Sequence, residues 1–550
     1  MVSDSYGPAH PPWYRRPVTA LALLVAVLAC YRLSLIDSGH FFWGDEGRYL
    51  AAAALVDDFD AGEYRAGLGQ PFTCRSRPAF VLISVIPVLA QRHLNPLLGI
   101  SPNTLQYYDI VSVFNVLLTL GVTVCIWGIA RAWMRCPWYA LLVAAVFSVS
   151  CHANVWVRHF MPCSASLLLF LSALWLLSSE RYTRRQTTAR TLAAGFLSAL
   201  GYACYPGYYA FVLINLVVLL AVSPRRMRAL LLFGGSAAIV FVTAEAMARI
   251  AGTSYLLEML STTSAHVAHI QGWPAEGYVF IWRYLRDVEG GAGVVLFFLF
   301  LGFVGLVLWR REAGLSRSAR AGILAAVACY LLHASLGVFT AGTAFYGRTL
   351  GMYLPFLVCG AVLAVKHLPA ARLRRACLGA LMIASIYSFA AFAARYARVV
   401  YPADLLHRAM AARDPAATYP PNRLWDDAET VSDGMSEASD PSVVMVVDTA
   451  PEGYQAMVRC ASHEEARTAG ARYIGVNFKC MIYIWEKDYR FQVPDDYRLI
   501  AQDLHPNALP ATGYEVHKPW ERKRLVRRGY RMRLYERIDN AQPVTLTARP

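Results

Sequence analysis

The feature that most constrains this chain is its series of apolar runs, each about 18–22 residues long, the length that crosses a bilayer core of about 30 Å as an α-helix. Apolar residues make up 57% of the 550 positions and charged residues only 16%, too unbalanced a mixture for the runs to be buried inside soluble domains. A soluble cytosolic protein is excluded, and an α-helical polytopic membrane protein is expected.

Charge orders the runs. The net charge is +15, but from Tyr396 onward 21 basic residues face 21 acidic ones, so the excess, 31 against 16, belongs to the hydrophobic part. Positive-inside bias of membrane loops accounts for it. No nucleic-acid partner is expected, and no RNA- or DNA-binding motif is present. Arg15 and Arg16 precede the first run and place the N-terminus in the cytosol. The basic loops around Arg131 and Arg135, Arg181 to Arg190, Arg225 to Arg228, Arg310 to Arg320, and Lys366 to Arg375 are expected on the same side.

Residues 79–98 are apolar yet interrupted by Pro87, Arg92, His93 and Pro96, which reads as a broken segment. Were it to span, every later basic loop would move outside, so it is expected to lie along the outer interface. Eleven spans remain: 18–36, 105–130, 137–151, 163–179, 191–204, 207–222, 229–250, 291–309, 321–340, 349–365 and 376–393. An odd count puts the C-terminal tail outside. Leu28-Ala29-Cys30 matches the end of a lipoprotein signal, but the apolar run continues through Leu33 and Ile36, so the first span is expected to be retained.

Three domains follow: a membrane domain over residues 1–395 with long outer loops at 37–104 and 252–290, a Pro- and Asp-rich linker over 396–440, and a small exoplasmic α/β domain over 441–550. Loops of that length usually carry function. In the tail, Val443–Val447 and Tyr473–Phe478 read as strands and Glu464–Ala471 as a helix. Of the twelve cysteines, most fall inside spans as small buried hydrophobes. Cys460 and Cys480 fall in the tail, where a bridge could persist and stabilise it by roughly 3 kcal/mol. No spacing matches a metal site or a nucleotide fingerprint, and His266 and His269 read as surface histidines. Glu245 and Arg249, four apart near a helix end, read as a local ion pair.

The stretch with most chemistry is Phe41-Phe42-Trp43-Gly44-Asp45-Glu46-Gly47-Arg48-Tyr49-Leu50, just after the first span. It sets two carboxylates beside aromatics suited to the membrane interface. Asp45 is equally suited to cap a helix running from Glu46 through Ala54, with Glu46 at its positive end.

An Asp-Glu pair followed by Arg-Tyr in the first outer loop resembles the GT-C superfamily of integral-membrane glycosyltransferases, in particular its aminoarabinose transferase and protein O-mannosyltransferase branches, over roughly residues 15–395. The resemblance implies transfer of a sugar from a polyprenyl-phosphate carrier to an acceptor outside the membrane, with Asp45 as base and Glu46 beside it. Arg77-Pro78 is similar to the family's basic-residue-plus-proline element, where the cation meets carrier phosphate. Arg348-Thr349-Leu350-Gly351-Met352-Tyr353-Leu354-Pro355 is similar to its late Arg-Tyr-Leu-Leu-Pro-x-x-Pro element, with the arginine and final proline at the same separation and Thr349 in place of the tyrosine. Arg158-His159-Phe160-Met161-Pro162-Cys163 resembles an outer-loop element in which Met161 and Cys163 replace an arginine and an aspartate. Cys204-Tyr205-Pro206-Gly207 occupies a turn where many relatives carry Lys-Gly. These departures argue against an aminoarabinose substrate.

The chemistry is coherent without the resemblance. A phosphate leaving group departs as an anion and needs cations more than a general acid. Arginine suits it, because its fork holds two phosphate oxygens at once. Successive helical residues point about 100° apart, so Asp45 and Glu46 cannot flank a glycosidic bond as the paired carboxylates of a hydrolase do. For Arg77, Arg158 and Arg348 the competing assignment is contact with lipid headgroups.

The expected activity is therefore an inverting transfer of a lipid-linked sugar to a lipid, glycan or protein acceptor at the outer face of a bacterial cytoplasmic membrane. Its partners are the polyprenyl-phosphate-linked donor and membrane lipids. No cofactor is required by any motif, and a divalent metal is left open. A transporter or flippase of lipid-linked glycans is the alternative from another class. It predicts ionisable residues mid-bilayer and repeated halves, neither of which is legible here. An inactive relative that serves as a binding partner is the third reading.

Overall fold

The structure, a computed structural model, describes residues 16–36, 50–73, 77–100, 105–178, 184–270, 276–309, 315–340 and 345–400. In the tail it describes 405, 408–409, 412, 443–446, 459–461, 473–476, 492–505, 508–514 and 531–538. Asp45, Glu46 and Cys480 lie outside the described residues, as do the expected helix at 464–471 and the side chains of His266, His269 and Cys460.

The chain divides into two compact units. The first is helical: α1 (Pro17–Leu33), α2 (Leu50–Asp60), α3 (Tyr64–Thr73), α4 (Pro78–Leu97), α5 (Asp109–Met134), α6 (Pro137–Ser148), α7 (Cys151–Val155), α8 (Pro162–Ser178) and α9 (Arg184–Cys204) come first. They are followed by α10 (Ala210–Val222), α11 (Arg226–Ala251), α12 (Tyr255–Ile270), α13 (Phe280–Asp287), α14 (Gly290–Trp309), α15 (Arg317–Thr340), α16 (Leu354–Lys366) and α17 (Ala371–Tyr396). Prolines open α1, α6 and α16, where a missing N–H costs nothing. Gly252, at φ 91°, closes α11 in the left-handed region.

At the centre stands α16, buried on every side from Leu354 to Leu363. It packs on α14 and α6, and Gly360 lets Phe300 of α14 approach so closely that a Cβ would sit 2.7 Å from the ring. Around it α5 pairs with α6 and α8, α8 with α9, α9 with α11, and α10 with α15. Helices at the rim turn apolar side chains outward: Ile383, Ile386 and Tyr387 of α17 are exposed, as suits a surface in contact with lipid. Asn215 is buried in α10 and donates to Ser198 at 3.0 Å.

Among the described residues six helices are long and apolar enough to cross a membrane, namely α4, α5, α11, α14, α15 and α17, and five shorter helical segments are also apolar. This set differs from the expected spans in two places. The α9 segment, expected to span at 191–204, is absent from it, and α4 is present. The expectation of a broken 79–98 segment is corrected: α4 is one continuous helix of 20 residues. Phe80, Ser84, Val88 and Gln91 recur at helical spacing and are all buried, so packing outweighs the proline penalty. Arg92 pairs with Asp57 and Asp60 of α2, which removes the charge that makes the segment look interrupted. The expected pair of Arg249 with Glu245 forms at 2.6 Å. Both long loops carry helices, α2 to α4 in the first and α12 and α13 in the second.

The second unit contains a five-stranded mixed sheet in the order β2-β1-β3-β5-β4: β1 (Val443–Val446), β2 (Arg459–Ala461), β3 (Tyr473–Val476), β4 (Tyr497–Leu504) and β5 (Arg531–Arg537). β1 pairs in parallel with β2 and β3, and β5 lies antiparallel to β3 and β4, with a bulge between Leu499 and Ala501. Met532, Leu534 and Glu536 alternate inward along β5, where Glu536 accepts from Arg498 at 3.2 Å. β1 and β3 match the strands expected from the sequence, whereas β2, β4 and β5 have no counterpart among them.

Candidate functional site

One end of the helical unit is closed by short segments rather than long helices. The first is α7, which a buried carboxylate organises. Glu289, just before α14, accepts the backbone N–H groups of Cys151 and His152 at 2.8 Å each. Ser150 caps the same helix by accepting from Ala153. The first N–H groups of a helix are unsatisfied by its own carbonyls, so a negative group is favourable at this end. Burial raises the Glu289 carboxyl above its usual range. His152 meets the Tyr284 hydroxyl through Nδ1 at 3.0 Å, and burial pushes it down to about 4, so the imidazole is neutral at pH 7.

The turn after α7 carries Arg158, which is buried. Asn115 of α5 directs its side-chain amide at the carbonyls of Trp156, Val157 and His159, at 2.9–3.0 Å. An amide has two protons, so the three contacts share them and hold the turn rigidly. Phe160 packs on Phe80 of α4 and Phe114 of α5, with ring centroids 5.1 and 5.8 Å apart. Through Phe80 the Arg158 turn meets the start of α4, which Arg77 opens. Arg32, in the last turn of α1, is buried beside it and donates to Asn154 and to the Ser148 carbonyl at 3.2 Å each.

Arg77 lies 4.9 Å from the centroid of the Tyr205 ring, within cation–π range. Tyr205 opens the tight turn that includes the 3-10 segment Pro206–Tyr208. Its ring meets that of Tyr208 edge-on at 5.0 Å, and only glycine fits at 207, where a Cβ would sit 2.7 Å from the Tyr205 ring. Tyr208 in turn donates to the Arg348 carbonyl at 2.9 Å. Arg348 lies in the 3-10 segment Gly347–Met352, with its guanidinium 5.8 Å from the Tyr346 ring. A Cβ on Gly351 would collide with the Tyr208 hydroxyl and stand 3.3 Å from His152 Nε2.

Arg77 and Arg348 thus flank one tyrosine pair, and the Arg158 turn is joined to the same layer through Phe80 and Phe160. Asp45 and Glu46 lie outside the described residues. Thr349 bonds both the carbonyl and the N–H of Tyr346, at 2.7 and 3.3 Å, and caps its segment. In the sequence Tyr205 reads only as part of a turn without lysine, and Tyr208 only as part of the expected span 207–222. Glu289, His152 and Tyr284 give no sequence signal, because their partners lie far away along the chain. Among the described residues no group of three His, Cys, Asp or Glu side chains is placed to hold a metal ion.

No protein-family model matches the sequence, and no curated protein matches it. Among solved structures, ArnT from Cupriavidus metallidurans bound to undecaprenyl phosphate superposes with a TM-score of 0.50 at 12% identity, covering 95% of this chain and 99% of that one. The same protein in the apo state gives 0.48 at 14% identity, covering 80% and 84%. An oligosaccharyltransferase from Archaeoglobus fulgidus in complex with zinc and sulfate gives 0.42 at 12%, covering 82% and 67%. The likeness to the first is one of fold.

Proposed function

We propose that this chain, which has the GT-C membrane-glycosyltransferase fold, transfers a sugar from a polyprenyl-phosphate donor to an acceptor at the outer face of the membrane, with inversion. The observation that carries the reading is that the Tyr205–Tyr208 pair joins Arg77, through its guanidinium, to Arg348, through its backbone carbonyl. It brings two arginine-bearing segments to one end of the helical unit, the guanidinium of Arg77 on Tyr205 and that of Arg348 beside Tyr346, cations of the kind a phosphate leaving group requires. The undecaprenyl phosphate of the superposed ArnT structure supports the same class of carrier here. Arg158, on the adjoining turn, is the third candidate cation.

In this mechanism the carrier phosphate departs as an anion held by arginine, so no general acid is needed. Asp45 takes the proton of the acceptor nucleophile as it attacks the anomeric carbon, and Glu46 assists from the next position. The exoplasmic placement of the tail and the three-domain division at 395 and 440 belong to the same proposal.

The test is turnover of a polyprenyl-phosphate sugar by purified protein, with donors and acceptors drawn from mass spectrometry of lipid-linked and envelope glycans in cells with and without the protein. Asp45→Asn keeps the shape of the side chain but cannot accept the proton, so transfer should fall by about 10²–10⁴ while donor binding persists. Asn caps a helix about as well as Asp. Retained turnover in Asp45→Asn would therefore leave Asp45 as a cap and remove it as base.

A further inference from the structure

A cavity lies away from the arginine layer, between the C-terminal half of α14, the end of α16 and the first turns of α17. Its volume is about 480 Å³, within the ~300–1,000 Å³ typical of small-molecule sites. The wall on α14 is smooth: a Cβ added to Gly302 or to Gly305, one turn apart, would have nothing within 4 Å of it. Phe298 and Leu373 line the cavity and are exposed. The cavity is thus an open apolar groove on a lipid-facing flank of the bundle.

The first turn of α17, which meets the groove through Leu373, is cationic. Arg372, Arg374 and Arg375 crowd the first turn of α17, and none forms an ion pair among the described residues. Neither α14, α16 nor α17 contains an aspartate or glutamate, so the described helices around the groove offer no counter-charge. Lys366 is engaged as a cap, donating to the Met134 carbonyl at 2.6 Å. His367 lines the groove, and its Nε2 is shielded from solvent without a hydrogen-bond partner. Shielding a polar atom in this way is unfavourable unless a ligand meets it.

We propose that this groove binds an anionic phospholipid, with an acyl chain against Gly302 and Gly305, the phosphate on the arginines of α17, and His367 Nε2 bonded to a headgroup or ester oxygen. Charge selects the occupant. A zwitterionic lipid could fill the apolar part but would bring its own cation to a cluster of three arginines, whereas an anionic headgroup neutralises it. The site does not depend on the glycosyltransferase reading.

The experiment compares delipidated full-length protein with phosphatidylglycerol, with phosphatidylcholine of the same acyl chains, and with glycerophosphoglycerol, the headgroup without chains. Thermal midpoint and native mass spectrometry are read in parallel. Phosphatidylglycerol should raise the midpoint and remain bound, phosphatidylcholine should do so about tenfold less effectively, and the deacylated headgroup should do neither. Gly302→Leu projects into the groove from a Cβ that meets nothing within 4 Å and should weaken phosphatidylglycerol binding about tenfold while leaving the lipid-free midpoint in place. Gly305→Leu, on the same face, serves as the second such variant. Replacing Arg372, Arg374 and Arg375 together by Gln should erase the preference for the anionic lipid. Equal effects of the two phospholipids, a full shift with the deacylated headgroup, or wild-type binding by both leucine variants would overturn the proposal.

Discussion

The two ends of α16 face opposite physical problems. Before its first residue, the arginine and tyrosine layer is dense: short segments, close aromatic contacts, a buried carboxylate satisfied by two backbone N–H groups, and a glycine with no room for a methyl group. Beyond its last residue, the groove beside α14 and α17 is open, with glycines that face empty space and arginines that form no ion pair among the described residues. The first end is over-determined by its own residues. The second, on the proposal above, is completed by a lipid. Rigid positioning is what a reaction centre needs, and unfilled complementarity is what a ligand site looks like before its ligand arrives.

The contrast breaks most visibly at Glu289. Glu289→Ala should destabilise the protein by roughly 2–5 kcal/mol, since two buried N–H groups lose their acceptor, and Glu289→Gln, which keeps one acceptor oxygen, should cost less. Chemical or thermal denaturation in detergent measures both. Equal, small effects would mean that α7 is held by its neighbours alone.

Acidification should act on the same layer. His152 is held at about 4 against an ordinary 6.5, so the folded protein leaves it neutral where the unfolded chain would protonate it. Its contribution is full above pH 6.5 and is lost as pH falls toward 4, by up to about 3 kcal/mol. Glu289, raised by burial, works in the opposite direction: its charge costs stability as pH rises through the folded-state value. Glu289→Gln therefore isolates the histidine. A thermal midpoint of Glu289→Gln that stays level between pH 6.5 and 4 would place His152 in a solvated setting.

The glycines give the smallest and sharpest comparison. Gly351→Ala should cost about 1–3 kcal/mol through collision with Tyr208 and should reduce transfer. Gly302→Ala meets nothing, and by helix propensity alone should be neutral or stabilising by up to about 1 kcal/mol. Similar losses at both positions would erase the distinction between a closed end and an open one.

Much of the helical unit is legible in the sequence because hydropathy depends only on local composition, and the ends of α5, α11 and α15 fall within a few residues of the expected runs. Residues 79–98 mislead because Arg92 stands in the sequence without its partners Asp57 and Asp60, which tertiary structure brings to it. In the tail, β1 and β3 are short hydrophobic strands and are readable, whereas β4 and β5 are laced with Arg, Asp and Glu and are fixed by pairing with each other. Arg77, Arg158 and Arg348 are legible as motif positions. What joins them, the Tyr205–Tyr208 pair, the Asn115 clamp and the Glu289 contact with α7, consists of contacts between distant residues that no linear pattern records.

The central claim is that the arginine layer holds a carrier phosphate, and Arg348 tests it most directly. Binding of undecaprenyl phosphate to purified wild type, Arg348→Lys and Arg348→Ala should be compared, with folding checked by thermal midpoint. A two-point fork predicts that lysine, which keeps the charge but loses the geometry, weakens binding about tenfold and alanine weakens it further. Equal affinities for all three proteins would contradict the claim and return Arg348 to the role of a headgroup contact.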